Sequence, residues 1–318
     1  MIPGGIEFKG RMDDCYLANL NLRTANRILL RLHAFKASNF KQLEKRLAEI
    51  PWELYLSDHS ALKIRATVKH CRLYHTGAIE KRFRESIASG LPVAAFKDVN
   101  SLDPALPQQI FVRGIDDRFT VSIDSSGDHL YRRGLKKHTG TAPLRETLAA
   151  ASLLLAGYSG KEPLVDPMCG AGTYSLEAAL MAKKIPPGWF REFAFMQWPA
   201  YRAKRFGYLK RQFADYFVQP EKPLIFASDK DPLACRQLEQ CTRQFGLSDI
   251  VSINNADFFE LVPGDFADRP GLVTINPPYG RRIGTRPESM ALFQAICVKL
   301  AREYAGWRLV LILSLIHI

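Results

Sequence analysis

Between residues 61 and 70 apolar and polar positions alternate without a break. Leu62, Ile64, Ala66 and Val68 fall on one side, and Lys63, Arg65, Thr67 and Lys69 on the other. A period of two predicts a half-buried strand, here with a basic outer face. In TGAIEKRFRESIASG (76–90) the period changes: Ile79, Phe83 and Ile87 recur every four residues, while Lys81, Arg82 and Arg84 lie off that seam. This predicts an amphipathic helix. NFKQLEKRLAEI (39–50) has the same spacing at Leu43, Leu47 and Ile50, with Asn39 as N-cap. A longer helix is expected over 14–33, burying Leu17, Leu20, Ile28 and Leu32, after a short strand in MIPGGIEFKG. QQIFVRGIDDRFTVSIDSSG reads as a hairpin turning at Ile115–Asp117. The pattern is that of a small α+β domain with Lys and Arg on its solvent faces.

Further along, short apolar runs stop at polar residues. TAPLRETLAAASLLLAG (141–157) predicts a helix led in by Thr141 and Pro143 and ended by Gly157. In EPLVDPMCGAGTYSLEAALMA a strand (Leu164, Val165) ends at Asp166, Gly170-Ala171-Gly172 forms a tight turn, and a helix follows over 173–183. Free N–H groups at such a turn and helix start can cradle an anionic or polar ligand. LIFASDKDP ends at Asp229, with Asp231 behind it; a carboxylate there can take both hydroxyls of a ribose. INNADFFEL ends at Asp257, which could accept from the exocyclic amine of an adenine with Phe258 beside the ring. LVTINPPYG ends at Asn276, because Pro277 and Pro278 neither donate to a β-ladder nor continue a helix.

Ligands of open α/β sheets sit at this carboxyl edge. A turn residue closing a strand would explain any one of these ends, but four in succession with helices between them fit that reading badly. A dinucleotide fingerprint also fits badly. Ser175 stands where GxGxxG needs its third glycine, and Asp229, the next acidic strand end, lies 57 residues beyond Gly172, not about 20.

Composition adds a partner. The 318 residues, 47% apolar, leave room for about two globular domains. Lys and Arg outnumber Asp and Glu by 44 to 32, and residues 1–140 hold 23 of the former against 15 of the latter. Such asymmetry points to nucleic acid or an anionic surface. A charge run alone is commonly a solvated face, but helix, strand and HLYRRGLKKHTG (129–140) are all basic here. An RNA-contacting surface is therefore expected from Lys63, Arg65, Arg82, Arg132, Arg133, Lys136 and Lys137. The six cysteines (Cys15, Cys71, Cys169, Cys235, Cys241, Cys297) form no CxxC pair and no metal-ligand spacing. No disulfide framework or metal is expected, and a cytoplasmic setting is. No apolar run approaches the roughly 20 residues of a membrane helix.

DPMCGAGT, the Asp229 and Asp257 strand ends and NPPY, in that order, resemble the motifs of class I S-adenosylmethionine-dependent amino-methyltransferases. Together with the basic upstream domain, the connector RRGLKKHTGTAPLRETLAAA and GWFREFAFMQW, they are most similar to the THUMP-domain RNA guanine-N2 methyltransferases. Within that family the likeness is to the amino-terminal half of the bacterial 23S rRNA enzymes, and it runs from about Gly4 to Ile312. NPPY alone is shared with DNA adenine and protein glutamine methyltransferases.

The resemblance implies a Rossmann-like α/β methyltransferase sheet over 146–318, a basic connector over 129–145 and a THUMP-like RNA-binding domain over 39–128. Residues 1–38 would be the remnant of a ferredoxin-like subdomain. It implies S-adenosylmethionine as cofactor, with Asp166, Cys169, Gly170 and Gly172 in its loop, Asp229 on its ribose and Asp257, beside Phe258, on its adenine. Asn276, Pro277, Pro278 and Tyr279 would be the catalytic tetrapeptide. The two N–H groups of a guanine N2 would donate to the Asn276 and Pro277 carbonyls, favouring a tetrahedral nitrogen, while Tyr279 stacks on the extruded base. RNA, most specifically 23S rRNA, is the implied partner.

Two departures from that family are expected to matter. A segment that precedes GGIEFKG in the family is missing. The family's sheet also runs through two more strands after GWRLVLI, whereas LSLIHI (313–318) matches, with one codon choice, the end of a transposon-based sequencing adapter. Those six residues are read as not native and the sheet as truncated. Other readings stay open: a THUMP-containing tRNA methyltransferase, a non-catalytic RNA-binding or ribosome-assembly factor, and a DNA or protein methyltransferase.

Overall fold

A computed structural model describes residues 4–57, 61–91, 107–136, 144–277 and 286–313. The chain divides into two compact units, one of Met1–Leu130 with Arg191–Lys210, the other of Tyr131–Phe190 with Arg211–Ile318.

The first unit contains α1 (Met12–Asn21), β1 (Leu29–Lys36), α2 (Phe40–Leu47), β2 (Leu62–Lys69), α3 (Thr76–Gly90), β3 (Gln108–Ile115) and β4 (Arg118–Asp124). Its sheet runs β1-β4-β3-β2, with β2 and β3 parallel across α3 and the other pairs antiparallel. The alternation of β2 survives as burial: Leu62 and Ile64 are buried, and Arg65, Thr67 and Lys69 are exposed. Ile79, Phe83 and Ile87 of α3 are all buried, and Asn39 Oδ1 accepts the Gln42 N–H at 3.0 Å to cap α2. Asp116 and Asp117, with φ of 50° and 61°, make the two-residue turn of the β3–β4 hairpin, the left-handed pair that matches strand twist.

The expected helix over 14–33 is not one element. The α1 helix ends at Asn21, where the Asn19 and Asn21 side-chain amides donate to the Cys15 and Leu17 carbonyls, and Leu22 turns extended. Residues 29–36 instead pair with β4, which satisfies their backbone groups. MIPGGIEFKG forms no strand among its described residues beyond a single bridge at Gly5.

GWFREFAFMQW, expected inside the methyltransferase domain, supplies aromatic side chains to the first unit's core. Phe193 and Phe195 stack at 5.2 Å, Tyr16 lies 4.6 Å from Phe195, and the Trp198 indole N–H donates to Gln108 Oε1 at 2.8 Å. Burying each such ring contributes roughly 1.5–3 kcal/mol. Of residues 1–38, Leu29–Lys36 lie in the same sheet as β2–β4.

The second unit holds α4 (Glu146–Leu155), β5 (Leu164–Asp166), α5 (Thr173–Ala182), β6 (Ile225–Asp229), α7 (Pro232–Gln244), β7 (Val251–Asn255), β8 (Leu272–Ile275), α8 (Arg286–Glu303) and β9 (Arg308–Leu311); α6 spans Ala203–Ala214. The strands are all parallel in the order β7-β6-β5-β8-β9, the Rossmann-like α/β sheet expected from the sequence. Every residue of β5 and β8 is buried, as a parallel sheet covered on both faces requires. At the start of β8 a side chain on Gly271 would meet the Pro163 carbonyl at 1.9 Å, the group that accepts the Leu272 N–H. Only glycine fits there. The central strand β5 has β6 on one side and β8 on the other, so the chain changes direction around it. That switch point is where open sheets form their ligand crevice. Among the described residues no helix is long and apolar enough to cross a membrane.

Candidate active site

The strand ends read from the sequence meet at the carboxyl edge of the parallel sheet. Asp166 is the last residue of β5, Asp229 the last of β6, and Asn276 follows β8 directly. Asp257 stands two residues past β7, where its Oδ1 accepts the Phe259 N–H at 2.9 Å and caps a one-turn helix. All four line one cavity of about 780 Å³, with Cys169, Gly170, Thr173 and Tyr174. That volume suits a ligand of nucleoside size or larger.

The loop from Asp166 to Gly172 is held from both sides. Asp166, 2% exposed, accepts the Ser175 N–H and O–H on Oδ2 at 3.2 and 2.7 Å. Ser175, which spoils the dinucleotide fingerprint, is thus the side chain that ties α5 to the end of β5. Asp229 Oδ2 accepts the Gly170 N–H at 2.8 Å, and its Oδ1 accepts the Asp231 N–H at 3.0 Å. Each carboxylate oxygen keeps accepting capacity for a ligand hydroxyl. Gly170 and Gly172 have φ of 49° and 67°, and a side chain on Gly172 would meet Leu238 of α7 at 2.4 Å. The turn therefore needs glycine for conformation and for space.

Burial pushes the Asp166 carboxyl up to about 7; the Ser175 hydrogen bonds and the charge of Lys136 pull the other way. The Cys235 thiol, beside that of Cys169, is brought down to about 7, while Cys169 is pushed up by that neighbour and by burial. Asn276 Oδ1 is shut off from solvent and has no hydrogen-bond partner among the described residues. An unsatisfied buried acceptor costs about 1–3 kcal/mol, so a donor brought to it would be bound favourably. Pro277 is buried beside it, while Pro278 and Tyr279 lie outside the described residues.

Phe258 does line the cavity, but its ring is 1% exposed and packs with Val273, Ile275, Ile296 and Tyr304. The accessible ring is that of Phe259, 42% exposed in the same lining. The sequence reading missed it because FF offers two adjacent rings and only the one-turn helix decides which faces outward. Leu233 and Gln237 of α7 were missed as well; they belong to an ordinary amphipathic helix.

The basic residues separate into two groups. Arg65 and Arg132 are exposed, Lys63 is partly so, and Arg82 is half-exposed with Glu44 and Glu85 at 3.2 and 3.3 Å. Arg133 and Lys136 do not belong to an RNA-facing surface. Arg133 is 3% exposed, its guanidinium forking onto the buried Glu177 carboxylate at 2.8 Å. Lys136 has a side chain only 8% exposed, paired with Glu146 at 3.2 Å and donating to Thr173 Oγ1 at 2.6 Å. In each case a buried carboxylate or hydroxyl, remote in sequence, turns the cation inward. Lys137 lies outside the described residues.

Comparison with known proteins matches residues 133–316 to the family described as "RMKL-like, methyltransferase domain" and residues 2–29 to the "RlmL ferredoxin-like domain". The "Ribosomal RNA large subunit methyltransferase K/L" of Magnetococcus marinus is 34% identical over 322 residues, covering 96% of this chain and 43% of that protein. The chain thus spans less than half the length of such a relative. Among solved structures, a "predicted N6-adenine-specific DNA methylase" from Listeria monocytogenes is 26% identical with a TM-score of 0.82, over 96% of this chain and 80% of that one. The structure of SMU.472 complexed with SAH shares the fold, with a TM-score of 0.77 at 24% identity over 95% of this chain and 79% of that one. With its parallel sheet, its switch-point cavity and a family match covering more than half its length, this chain belongs to the RMKL-like methyltransferase-domain family.

Proposed function

We propose that this chain transfers a methyl group from S-adenosylmethionine to the exocyclic N2 of a guanine in RNA, with 23S rRNA as the polymer. The observation that carries this reading is the Asn276 carbonyl oxygen, buried without a partner among the described residues at the end of β8, beside a cavity whose other strand ends are aspartates. SMU.472 was solved with SAH, and the Magnetococcus relative is named for large-subunit rRNA. On this reading the protein works in the cytoplasm, where rRNA is available.

The cofactor supplies an electrophilic methyl on a sulfonium. The chain's own residues bind and aim. The free lone pairs of Asp229 take ribose hydroxyls, Asp257 accepts from the adenine amine, and Phe259 flanks the ring. Asn276 Oδ1 and the Pro277 carbonyl accept the two N2–H groups of guanine, which withdraws the nitrogen lone pair from the ring and directs it at the methyl. Positioning and fixed dipoles carry the rate.

The test offers labelled S-adenosylmethionine with separate rRNA, tRNA and duplex DNA pools, with Asn276→Ala run in parallel. The expected result is N2-methylguanosine in rRNA, lowered about 100-fold or more in the variant. Label in tRNA would move the polymer. Label on adenine in DNA, the reading favoured by the name of the Listeria protein, would replace the proposal. A folded protein that binds RNA and transfers nothing would make Asn276 a structural residue.

A further inference from the structure

We propose that Lys136 is a positioning residue for the carboxylate of the cofactor's amino-acid head, acting through the Thr173 hydroxyl. The inference rests on the cavity being a site for S-adenosylmethionine.

Thr173 is 5% exposed, lines the cavity and opens α5 immediately after the left-handed Gly172. Its Oγ1 receives a hydrogen bond from Lys136 Nζ at 2.6 Å, and the acceptor placed for its own proton is the Leu144 carbonyl, at the long distance of 3.4 Å. A hydroxyl whose lone pair is held by an ammonium is polarised towards donation. Among the described residues no side chain caps α5, so the positive end of its dipole falls on the same residue. These three features all favour an anion, and they stand in a wall of the cavity whose floor at β5 is a carboxyl, Asp166.

The amino-acid head of S-adenosylmethionine carries one carboxylate and one ammonium. Thr173, backed by Lys136, suits the first, and Asp166 suits the second. The adenosine part has no carboxylate, so the effect of Lys136 can be separated from the rest of the ligand. Lys136 cannot serve an RNA phosphate from its position, because its ammonium is buried between Thr173 and Glu146. Glu146, 14% exposed, keeps the cation from being an unpaired buried charge before ligand arrives.

Two ligands test this by calorimetry: S-adenosylhomocysteine, which has the amino-acid head, and 5′-methylthioadenosine, which lacks it. Because Lys136→Met alone leaves Glu146 unpaired, the main variant is Lys136→Met with Glu146→Gln, checked for an intact melting transition. Affinity for S-adenosylhomocysteine should fall about tenfold while that for 5′-methylthioadenosine stays unchanged. Lys136→Arg should restore most of the loss. Equal weakening of both ligands would mean that Lys136 only supports the fold and would overturn the proposal, as would no weakening of either. Wild-type protein that binds neither ligand would overturn the cofactor reading itself, and the inference with it.

Discussion

In the sheet of β1–β4 the cations occupy a periodic face. Arg65 and Lys69 of β2 are exposed, and Leu62 and Ile64, each within a few residues, are buried. In the second unit Arg133 and Lys136, three residues apart and of the same chemical types, are turned inward onto Glu177 and Glu146. The difference lies in what decides the direction of each side chain. Along β2 the pleat decides, and the pleat can be read from neighbouring residues. In the connector no regular element imposes a face, so the decision falls to carboxylates 44 and 10 residues away.

The largest test of that contrast is Arg133→Met. Leaving the buried Glu177 carboxylate without the Arg133 guanidinium should cost about 3–5 kcal/mol in urea unfolding, and replacing Glu177 with Leu as well should recover most of it. A cost near zero would put Arg133 with the surface cations and dissolve the comparison. Next comes Gly172→Ala, which forces a side chain into a left-handed turn against Leu238. About 1–3 kcal/mol should be lost, together with S-adenosylhomocysteine affinity in the same titration.

A third effect depends on pH. The Asp166 carboxyl, raised to about 7 in the folded chain, has an unfolded value of about 3.9. Between those values the folded state holds the extra proton, so this group's contribution is greatest in acid and is lost as pH rises to about 7. Melting temperatures measured across that window should fall for wild type relative to Asp166→Asn, and run parallel above it. The smallest stability effect is expected from Lys63→Gln with Arg65→Gln, within about 0.5 kcal/mol. If this face meets phosphate, the same pair should weaken RNA binding and make its salt dependence shallower, by about one unit for each phosphate no longer neutralised. Unchanged RNA affinity would make the β2 face a solvated surface only.

Much of the site could be read from the chain because its signals are local. Asp166, Asp229 and Asn276 each end an apolar run, and a run that ends at a polar residue announces a strand terminus. The glycines at 170 and 172 reveal the turn for the same reason. What stayed hidden was set by distant partners. Ile28 and Leu32, four residues apart, fit a helical stripe as well as one face of a strand, and β4, almost 90 residues later, settled the matter. Phe193, Phe195 and Trp198 lie far in sequence from the rest of the first unit and yet belong to its core. Phe258 and Phe259 could be told apart only by the turn that Asp257 caps.

The strand order also sets a schedule for synthesis. The strand made first, β5, stands in the middle, and each later one joins at a free edge: β6 and then β7 on one side, β8 and then β9 on the other. Among the described strands none must be threaded between two that are already paired. A nascent chain therefore carries Asp166, Asp229 and Asp257 before Asn276 has been translated. The groups that would hold a cofactor precede along the chain the one that would use it, and Leu292 of α8 closes the crevice wall later still.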